Sequence, residues 1–297
     1  MVVLGPTASG KSDVAMELAT TISGFEIVAA DSMQVYRGMD VGTAKPTPDD
    51  QQNVPHHGLN LANPWEDFSV AQYLEHVTVA RESMVKRNVR ELIVGGTGLY
   101  VTALVDGLNM PGQWPEIREE LENNDDTEAL FAELQSCDPV AASRMEPNNR
   151  RRIIRALEVC RGSGTTFSSF GPGITQFSET PTVMVGIQWD RDVLRQRIEQ
   201  RVWKMMERGL IDEVRALLEL PQPLSKTAYQ ALGYKEVIEG LKAGESVESM
   251  VATITLRTQQ FAVRQERWYR RDPRIQWVQV QNDPIAEVTP VVLATLG

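Results

Sequence analysis

The 297 residues suffice for one large domain or for a core with a smaller lobe, and an apolar content of 42% supports a sizeable buried core. Thirty basic against forty acidic residues leave a formal charge of −10, which excludes simple global attraction to nucleic acid but leaves room for a local basic face. Two cysteines, Cys137 and Cys160, stand far apart in the chain without a Cys-x-x-Cys pair, which excludes a cysteine-rich zinc module and fits a reducing compartment.

The chain opens on Val2-Val3-Leu4, an aliphatic run predicted as a buried strand, and passes into Gly5-Pro6-Thr7-Ala8-Ser9-Gly10-Lys11-Ser12. This is a complete G-x-x-x-x-G-K-[ST] match, and behind it Val14, Ala15, Leu18, Ala19 and Ile22 keep a helical spacing. Strand, glycine loop and helix together make a phosphate cradle. Backbone N–H groups converge on an anion, and the helix N-terminus adds partial positive charge. Lys11 can reach the outer phosphates, and the Ser12 hydroxyl can ligate a magnesium ion. A chance match in a glycine turn lacks both flanking elements. The first strand begins at the first residue with no charged-then-apolar leader, and no apolar stretch approaches the length of a membrane span, so the expected location is the cytoplasm, away from any membrane.

Glu26-Ile27-Val28-Ala29-Ala30 predicts a second buried strand, ending at Asp31-Ser32-Met33-Gln34. Ligands of an open parallel sheet collect beyond the carboxyl ends of its strands, which puts Asp31 near the phosphate loop. Three roles are open to it at this level: a magnesium partner, a general base acting on a substrate held over the phosphates, or a cap or turn aspartate. Tyr36 to Pro64, rich in Gly, Pro and Asn, predicts a long loop of the kind uncommon without a function. His56-His57 within it read as a hydrogen-bonded pair rather than a metal site, since His76 is the only other histidine. Val70, Tyr73, Leu74, Val77 and Met84 predict an amphipathic helix from about Phe68 to Arg87. Leu92 to Tyr100 then reads as strand, glycine turn and helix. A Walker B strand ends in an acid, whereas this one ends in Gly95-Gly96-Thr97, against an ordinary ATPase.

Composition changes around Pro111 to Pro115. Glu116 to Glu133 is acidic and helix-like. Arg144 to Arg161 then carries six arginines (144, 150, 151, 152, 155, 161) against Glu146 and Glu158, and Gly162 to Thr180 is rich in Gly, Ser and Thr. Residues 115–180 are predicted as a small helical insertion between core segments 1–114 and 181–297. On spacing alone its arginine-rich helix is equally a solvated face or a phosphate-contacting one. Val183 to Trp189 is a further apolar run. Asp190 to Leu220 predicts one long helix, with Leu194, Ile198, Val202, Met205 and Met206 on its core side and Arg197 and Arg201 four apart on a shared face. A turn and helix at Ala231 to Glu236 precede a final helix, Val247 to Tyr269. From Arg257 to Arg274 six arginines (257, 264, 267, 270, 271, 274) face only Glu266 and Asp272, with Trp268 and Tyr269 among them. Such interleaving suits RNA, through phosphate contacts and stacking on splayed bases. The fold class is α/β: a P-loop NTPase-like parallel sheet core with a small all-helical insertion.

Several of these stretches occur together and in order: the phosphate loop, Asp31-Ser32-Met33-Gln34-Val35-Tyr36, Gly38-Met39-Asp40-Val41-Gly42-Thr43-Ala44-Lys45-Pro46, Pro55-His56-His57, Gly95 to Tyr100, Arg155-Ala156-Leu157-Glu158-Val159 and Ala231-Leu232-Gly233-Tyr234. In this the chain resembles the bacterial tRNA dimethylallyltransferases over nearly its whole length. The resemblance implies that the loop holds the diphosphate of dimethylallyl diphosphate rather than ATP, and that the acceptor is the exocyclic N6 amine of the adenosine at tRNA position 37, beside the anticodon. It implies that Gly5, Pro6, Thr7, Ala8, Ser9, Gly10, Lys11 and Ser12, with Arg197 and Arg201, bind the diphosphate. Thr7, Lys11 and Arg201 would act on the leaving group, Mg2+ would sit on Ser12, and Asp31 would be the base. Contacts to the anticodon stem-loop are implied for Asp31, Ser32, Met33, Gln34, Thr97 and Arg118; for Arg151, Arg152, Ile153, Ile154 and Arg155 on the insertion; and for Gly233, Tyr234, Lys235, Arg264, Gln265, Arg267, Trp268 and Arg270. The target base would leave its stack to enter the pocket.

Departures exist. Val263 and Arg267 stand where lysine and threonine are frequent in that family, Arg151 where glutamine is frequent, and the chain has neither the cysteines nor the histidines of the zinc finger that eukaryotic members add, so a bacterial type is expected. A monomer is the separate expectation for its assembly. Three competitors are a transferase that prenylates free AMP, ADP or ATP, a small-molecule P-loop kinase, and an RNA-binding module with a dead phosphate site. The two arginine clusters argue against the first and the strand-end glycines against the second. Intact Lys11, Ser12 and Asp31 argue against the third.

Overall fold

The structure, a computed structural model, describes residues 1–171, 173 and 176–295. In chain order the elements are β1 (Val2–Leu4), α1 (Lys11–Thr21), β2 (Phe25–Ala30), α2 (Pro48–Asn53), β3 (His56–His57), α3 (Val70–Lys86), β4 (Arg90–Gly95), α4 (Gly98–Asp106), α5 (Pro115–Glu122), α6 (Thr127–Cys137), α7 (Pro139–Ser143), α8 (Arg150–Ser163), a 3-10 turn (Phe167–Phe170), β5 (Met184–Trp189), α9 (Arg191–Glu207), α10 (Leu210–Leu218), α11 (Lys226–Tyr229), α12 (Tyr234–Ala243), α13 (Val247–Tyr269), β6 (Ile275–Val280) and α14 (Pro284–Ala294). The chain divides into two compact units, Met1–Val101 with Glu179–Gly297, and Thr102–Ser178.

The first unit is built on a six-stranded, all-parallel sheet in the order β3-β2-β4-β1-β5-β6. β1 and β2 are buried along their whole length, as parallel strands covered on both faces must be, and this explains their unbroken apolar runs. From β1 the chain moves to β2 on one side, leaving room for β4, while β5 and β6 continue on the other. The loop after β1 therefore lies at the sheet's switch point, where such folds bind ligands.

Three sequence expectations are corrected here. The stretch from Tyr36 to Pro64 is not all loop. Thr47 and Asp50 form a capping box on α2, and His56-His57 form β3, one of the sheet's two edge strands. His57 Nε2 meets Glu26 Oε2 at 2.8 Å, and Arg87 grips both oxygens of the same carboxylate, so the pair is structural. Among the described residues no cluster of three or more His, Cys, Asp or Glu could hold a metal, and no helix is long and apolar enough to cross a membrane. The helix expected over 190–220 is two, broken by Gly209 in the left-handed region at φ 90°. Finally, α13 is not last: β6 and α14 follow it. Ile275–Val280, at one edge of the sheet, is buried only at its two end residues, and α14 contains Pro290, so neither gives a clean buried-strand or helical pattern.

The second unit packs α5 to α8 around Leu121, Leu130, Leu134, Ile153, Ile154 and Leu157. Ile153 and Ile154, expected at a tRNA surface, are 0% and 4% exposed and belong to this core instead. The arginine-rich helix α8 divides by face. Arg155 donates to Glu158 Oε1 and to the carbonyls of Pro111 and Gly112, at 2.8, 2.8 and 2.9 Å. Glu158, almost fully buried, also accepts the Trp114 N–H at 2.9 Å. Arg155 is thus a bracket for the Pro111–Trp114 turn rather than a free phosphate contact. Arg150 reaches the carbonyls of Leu121 and Glu122, and Arg161 binds Glu120 and Glu133. Arg151 and Arg152 are exposed and lie on the open face. Arg118 pairs with Glu122 at 2.9 Å on a half-open surface. Cys137 and Cys160, distant in sequence, are neighbours here: both are free thiols, and burial with the adjacent Cys160 pushes Cys137 up to about 11.

Candidate active site

The phosphate loop takes its shape from contacts at both ends. Gly10 caps α1 at φ 89°, and a Cβ there would lie 2.5 Å from Pro284 Cγ, so only glycine fits. Ala8 also holds a positive φ, 62°. From outside the loop, Trp189 Nε1 donates to the Ser9 carbonyl at 2.9 Å, and Arg197 Nε donates to the Ala8 carbonyl at 2.9 Å with its guanidinium 4.2 Å above the Trp189 ring. Gln265 accepts the Thr7 N–H at 2.8 Å and donates to the Gly96 carbonyl at 2.8 Å, joining the loop to the turn after β4.

Lys11, at the first turn of α1, is half-buried, with Nζ 3.4 Å from the Pro6 carbonyl. Burial, and then the Arg201 charge, lowers its ammonium to about 8, against the opposing pull of Asp31 and Asp13. Burial likewise holds Arg201 below its ordinary range, with Asp31 and then Asp13 opposing, and Arg197 below its own against Asp13 and Asp283. The site therefore gathers cations whose desolvation favours their neutral forms, an arrangement that an anion relieves. Ser12, exposed at the helix start, and Thr7 line the same cavity of about 720 Å³ as Lys11, Asp31, Arg197 and Arg201.

Asp31 follows β2 directly. Its Oδ1 accepts the Met33 N–H at 2.9 Å and the Gln34 N–H at 3.4 Å, which fixes the carboxylate at the carboxyl end of β2. Thr97 Oγ1 accepts the Ser32 N–H at 3.1 Å and donates to Ser32 Oγ at 3.3 Å, so the turn after β4 and the segment 31–34 form one wall. The two segments, each implied by the resemblance to touch RNA, adjoin across 65 residues of chain.

Other residues expected at the RNA divide again between surface and interior. Arg264, Arg267 and Arg270 are exposed along α13, and Trp268 is half-buried with the Arg271 guanidinium 4.7 Å over its ring. Lys235 is half-exposed at the start of α12. Gln265 is 6% exposed with both ends of its amide engaged by protein, and so is a clamp rather than an RNA contact. Tyr234 is 0% exposed and donates to Glu213 Oε1 at 2.6 Å, and Gly233 beside it is buried, so neither presents a contact surface. Sequence reasoning missed Trp189 and Glu213. Trp189 was legible in principle, since it ends a strand at the carboxyl edge of a parallel sheet. Glu213 gave no signal.

A family model described as IPP transferase matches residues 34–272, and one described as isopentenyl transferase matches residues 1–57. A tRNA dimethylallyltransferase of Geobacter metallireducens is 43% identical over 285 residues, covering 94% of this chain and 92% of its own. That of Bifidobacterium longum is 40% identical, covering 98% and 90%. Among solved structures, the tRNA isopentenylpyrophosphate transferase of Bacillus halodurans is similar at TM-score 0.70 and 36% identity, covering 99% of this chain and 95% of that one. A eukaryotic dimethylallyltransferase acting on tRNA shares the fold at TM-score 0.82 and 24% identity, covering 99% of this chain and 77% of that one. Sheet, loop and facing carboxylate define a phosphate-loop transferase of the α/β class. Within that class the chain belongs to the IPP transferase family and is a prenyl-transferring enzyme.

Proposed function

We propose that the chain transfers a dimethylallyl group from dimethylallyl diphosphate to N6 of the adenosine at position 37 of tRNA, releasing pyrophosphate. The observation that carries this reading is the single cavity in which Lys11, Arg197 and Arg201 surround the loop and Asp31 faces them. One end suits a leaving diphosphate and the other a nucleophile that must lose a proton. The amine nitrogen forms a bond to the allylic carbon, its proton passes to Asp31, and the C–O electron pair leaves with the diphosphate. Charge grows on the diphosphate as that bond breaks, so Lys11, Arg201, Thr7 and the loop amides lower the barrier. Arg197, tied to the Ala8 carbonyl, holds the loop in form while adding charge.

The donor set near the loop fits a magnesium ion carried mainly by the substrate. The loop offers the Ser12 hydroxyl, and no acidic cluster supplements it among the described residues. Mg2+ commonly keeps waters and substrate phosphate oxygens as ligands. Bound there, it supplies charge neutralisation of the diphosphate. Arg151 and Arg152 on the helical insertion, with Arg118, supply one cationic surface for the anticodon stem-loop, and Arg264, Arg267 and Arg270, along and just after α13, supply another. A monomeric, cytoplasmic enzyme belongs to the same reading.

The test supplies labelled dimethylallyl diphosphate with magnesium to two acceptors side by side: an unmodified tRNA with adenosine after its anticodon, and free AMP. Label on the tRNA alone is expected. Label on AMP alone would keep the chemistry and remove the RNA role of both arginine clusters, and label on neither would remove the prenyl donor.

A further inference from the structure

The loop between β2 and α2 binds a carboxylate contributed from elsewhere in the fold. Glu213, on α10, accepts the backbone N–H groups of Asp40 and Val41 on Oε2, at 2.9 and 2.8 Å, and that of Gly42 on Oε1 at 3.1 Å. Oε1 also accepts the Tyr234 hydroxyl at 2.6 Å. Successive N–H groups converging on one anion form a nest, and this nest is filled from inside the protein. Gly42 is needed for it, because a Cβ there would lie 2.5 Å from Tyr234 Cε2. On the other side of the loop, the buried Lys45 ammonium donates to the Tyr36 carbonyl, Asp40 Oδ1 and Asn60 Oδ1, at 2.6, 2.5 and 2.8 Å.

Between these two anchors, the carbonyls of Thr43 and Ala44 accept from Gln34 Nε2 at 3.2 and 3.3 Å. Carbonyl oxygens only accept, so the amide orientation of Gln34 is determined: its N–H groups meet the loop, and Oε1 is the end left as an acceptor. Gln34 lines the cavity that holds Asp31, and its own N–H reaches Asp31 Oδ1 at 3.4 Å.

We propose that Glu213 is a positioning residue for the acceptor side of the transfer, holding the 40–42 backbone so that Gln34 presents its amide oxygen to the attacking amine beside Asp31. The proposal rests on the tRNA-prenylation reading above. An exocyclic amine carries two hydrogens. As the N–C bond forms, Asp31 takes one, and Gln34 Oε1 accepts the hydrogen bond of the other, which keeps the nitrogen lone pair aimed at the allylic carbon.

The test is a double-mutant cycle read on tRNA transfer. Glu213→Gln sets an NH2 group against donors that the carboxylate accepts. It is expected to lower kcat about tenfold, the scale of one lost hydrogen bond, while KM for dimethylallyl diphosphate stays near that of the parent and the melting midpoint falls by only a few degrees. Gln34→Leu is expected to fall by a similar factor, and Glu213→Gln combined with Gln34→Leu no further than Gln34→Leu alone. Multiplicative losses in the combined variant would overturn the proposal, as would an unchanged kcat in Glu213→Gln or a parallel loss of donor affinity and stability. Should Glu213→Gln not fold, Tyr234→Phe, which removes one bond to Oε1 and keeps the ring on Gly42, carries the same cycle. Absence of transfer by the unaltered chain overturns the underlying reading, and this proposal with it. Normal transfer with a multiplicative cycle overturns this proposal alone.

Discussion

At the scale of single residues, the chemistry of the site follows from where charge is desolvated. Lys11 is an ammonium held at about 8 by burial and by Arg201. An anion on the loop raises that value, so anion binding takes up a proton whenever the free site has lost one. Below pH 8 the charge is present and affinity is full. Above it, the Lys11 contribution is lost at about tenfold per pH unit. Calorimetry with inorganic pyrophosphate should show this fall, and Lys11→Met, which carries no titrating group, should differ less from the parent as the pH rises. Asp31 makes the opposite kind of prediction. Its Oδ1 engages only nearby backbone N–H groups, so Asp31→Ala should keep tRNA binding while transfer falls by about 10²–10⁴, the usual worth of a positioned base. A filter-binding assay beside a transfer assay separates the two, and a variant with parent turnover would remove Asp31 as the base.

At the scale of elements, one helix shows why counting arginines is not enough. α8 places Ile153, Ile154 and Leu157 in the core, Arg155 against a buried glutamate, and Arg151 and Arg152 in solvent. Arg155→Ala leaves Glu158 without its closest cation and should destabilise the helical unit by about 1–3 kcal/mol, discounted for the partial exposure of the arginine. Arg151→Ala with Arg152→Ala should leave the melting midpoint near that of the parent. The same pair should weaken tRNA binding and flatten the slope of log K against log salt by about 1.5–2, as two lost phosphate contacts require. An unchanged slope in filter binding across a salt series would mean that this face does not meet phosphate.

At the scale of the whole molecule, the late elements complete what the early ones begin. β6 pairs along β5, and α14 packs on α1 and sets Pro284 against Gly10 of the phosphate loop. Ending the chain after Arg274 would remove β6 and α14, baring the edge of β5 and the face of α1 on which α14 packs. The truncated chain is expected to be recovered largely as aggregate, which soluble yield and light scattering would report. A soluble, fully active truncation would show that the loop holds its form without this support.

The phosphate loop, the strand ending at Asp31 and the glycine turn after β4 were legible in the sequence because each is a local device. A few contiguous residues fix the backbone, and their chemistry follows from it. The parallel sheet was legible too, in the buried apolar runs of β1, β2 and β5. What the sequence left open was partnership over distance. The Thr7 amide is held by Gln265, 258 residues away, the Asp40–Gly42 backbone by Glu213, and the buried Glu158 by the turn at Trp114. A carboxylate or amide has no pattern that names its partner, since burial and direction decide it, and both are properties of packed elements. The reaction class was therefore written in the chain. Only the tertiary structure decided which arginines, glutamines and tyrosines face a ligand and which hold the protein that faces it.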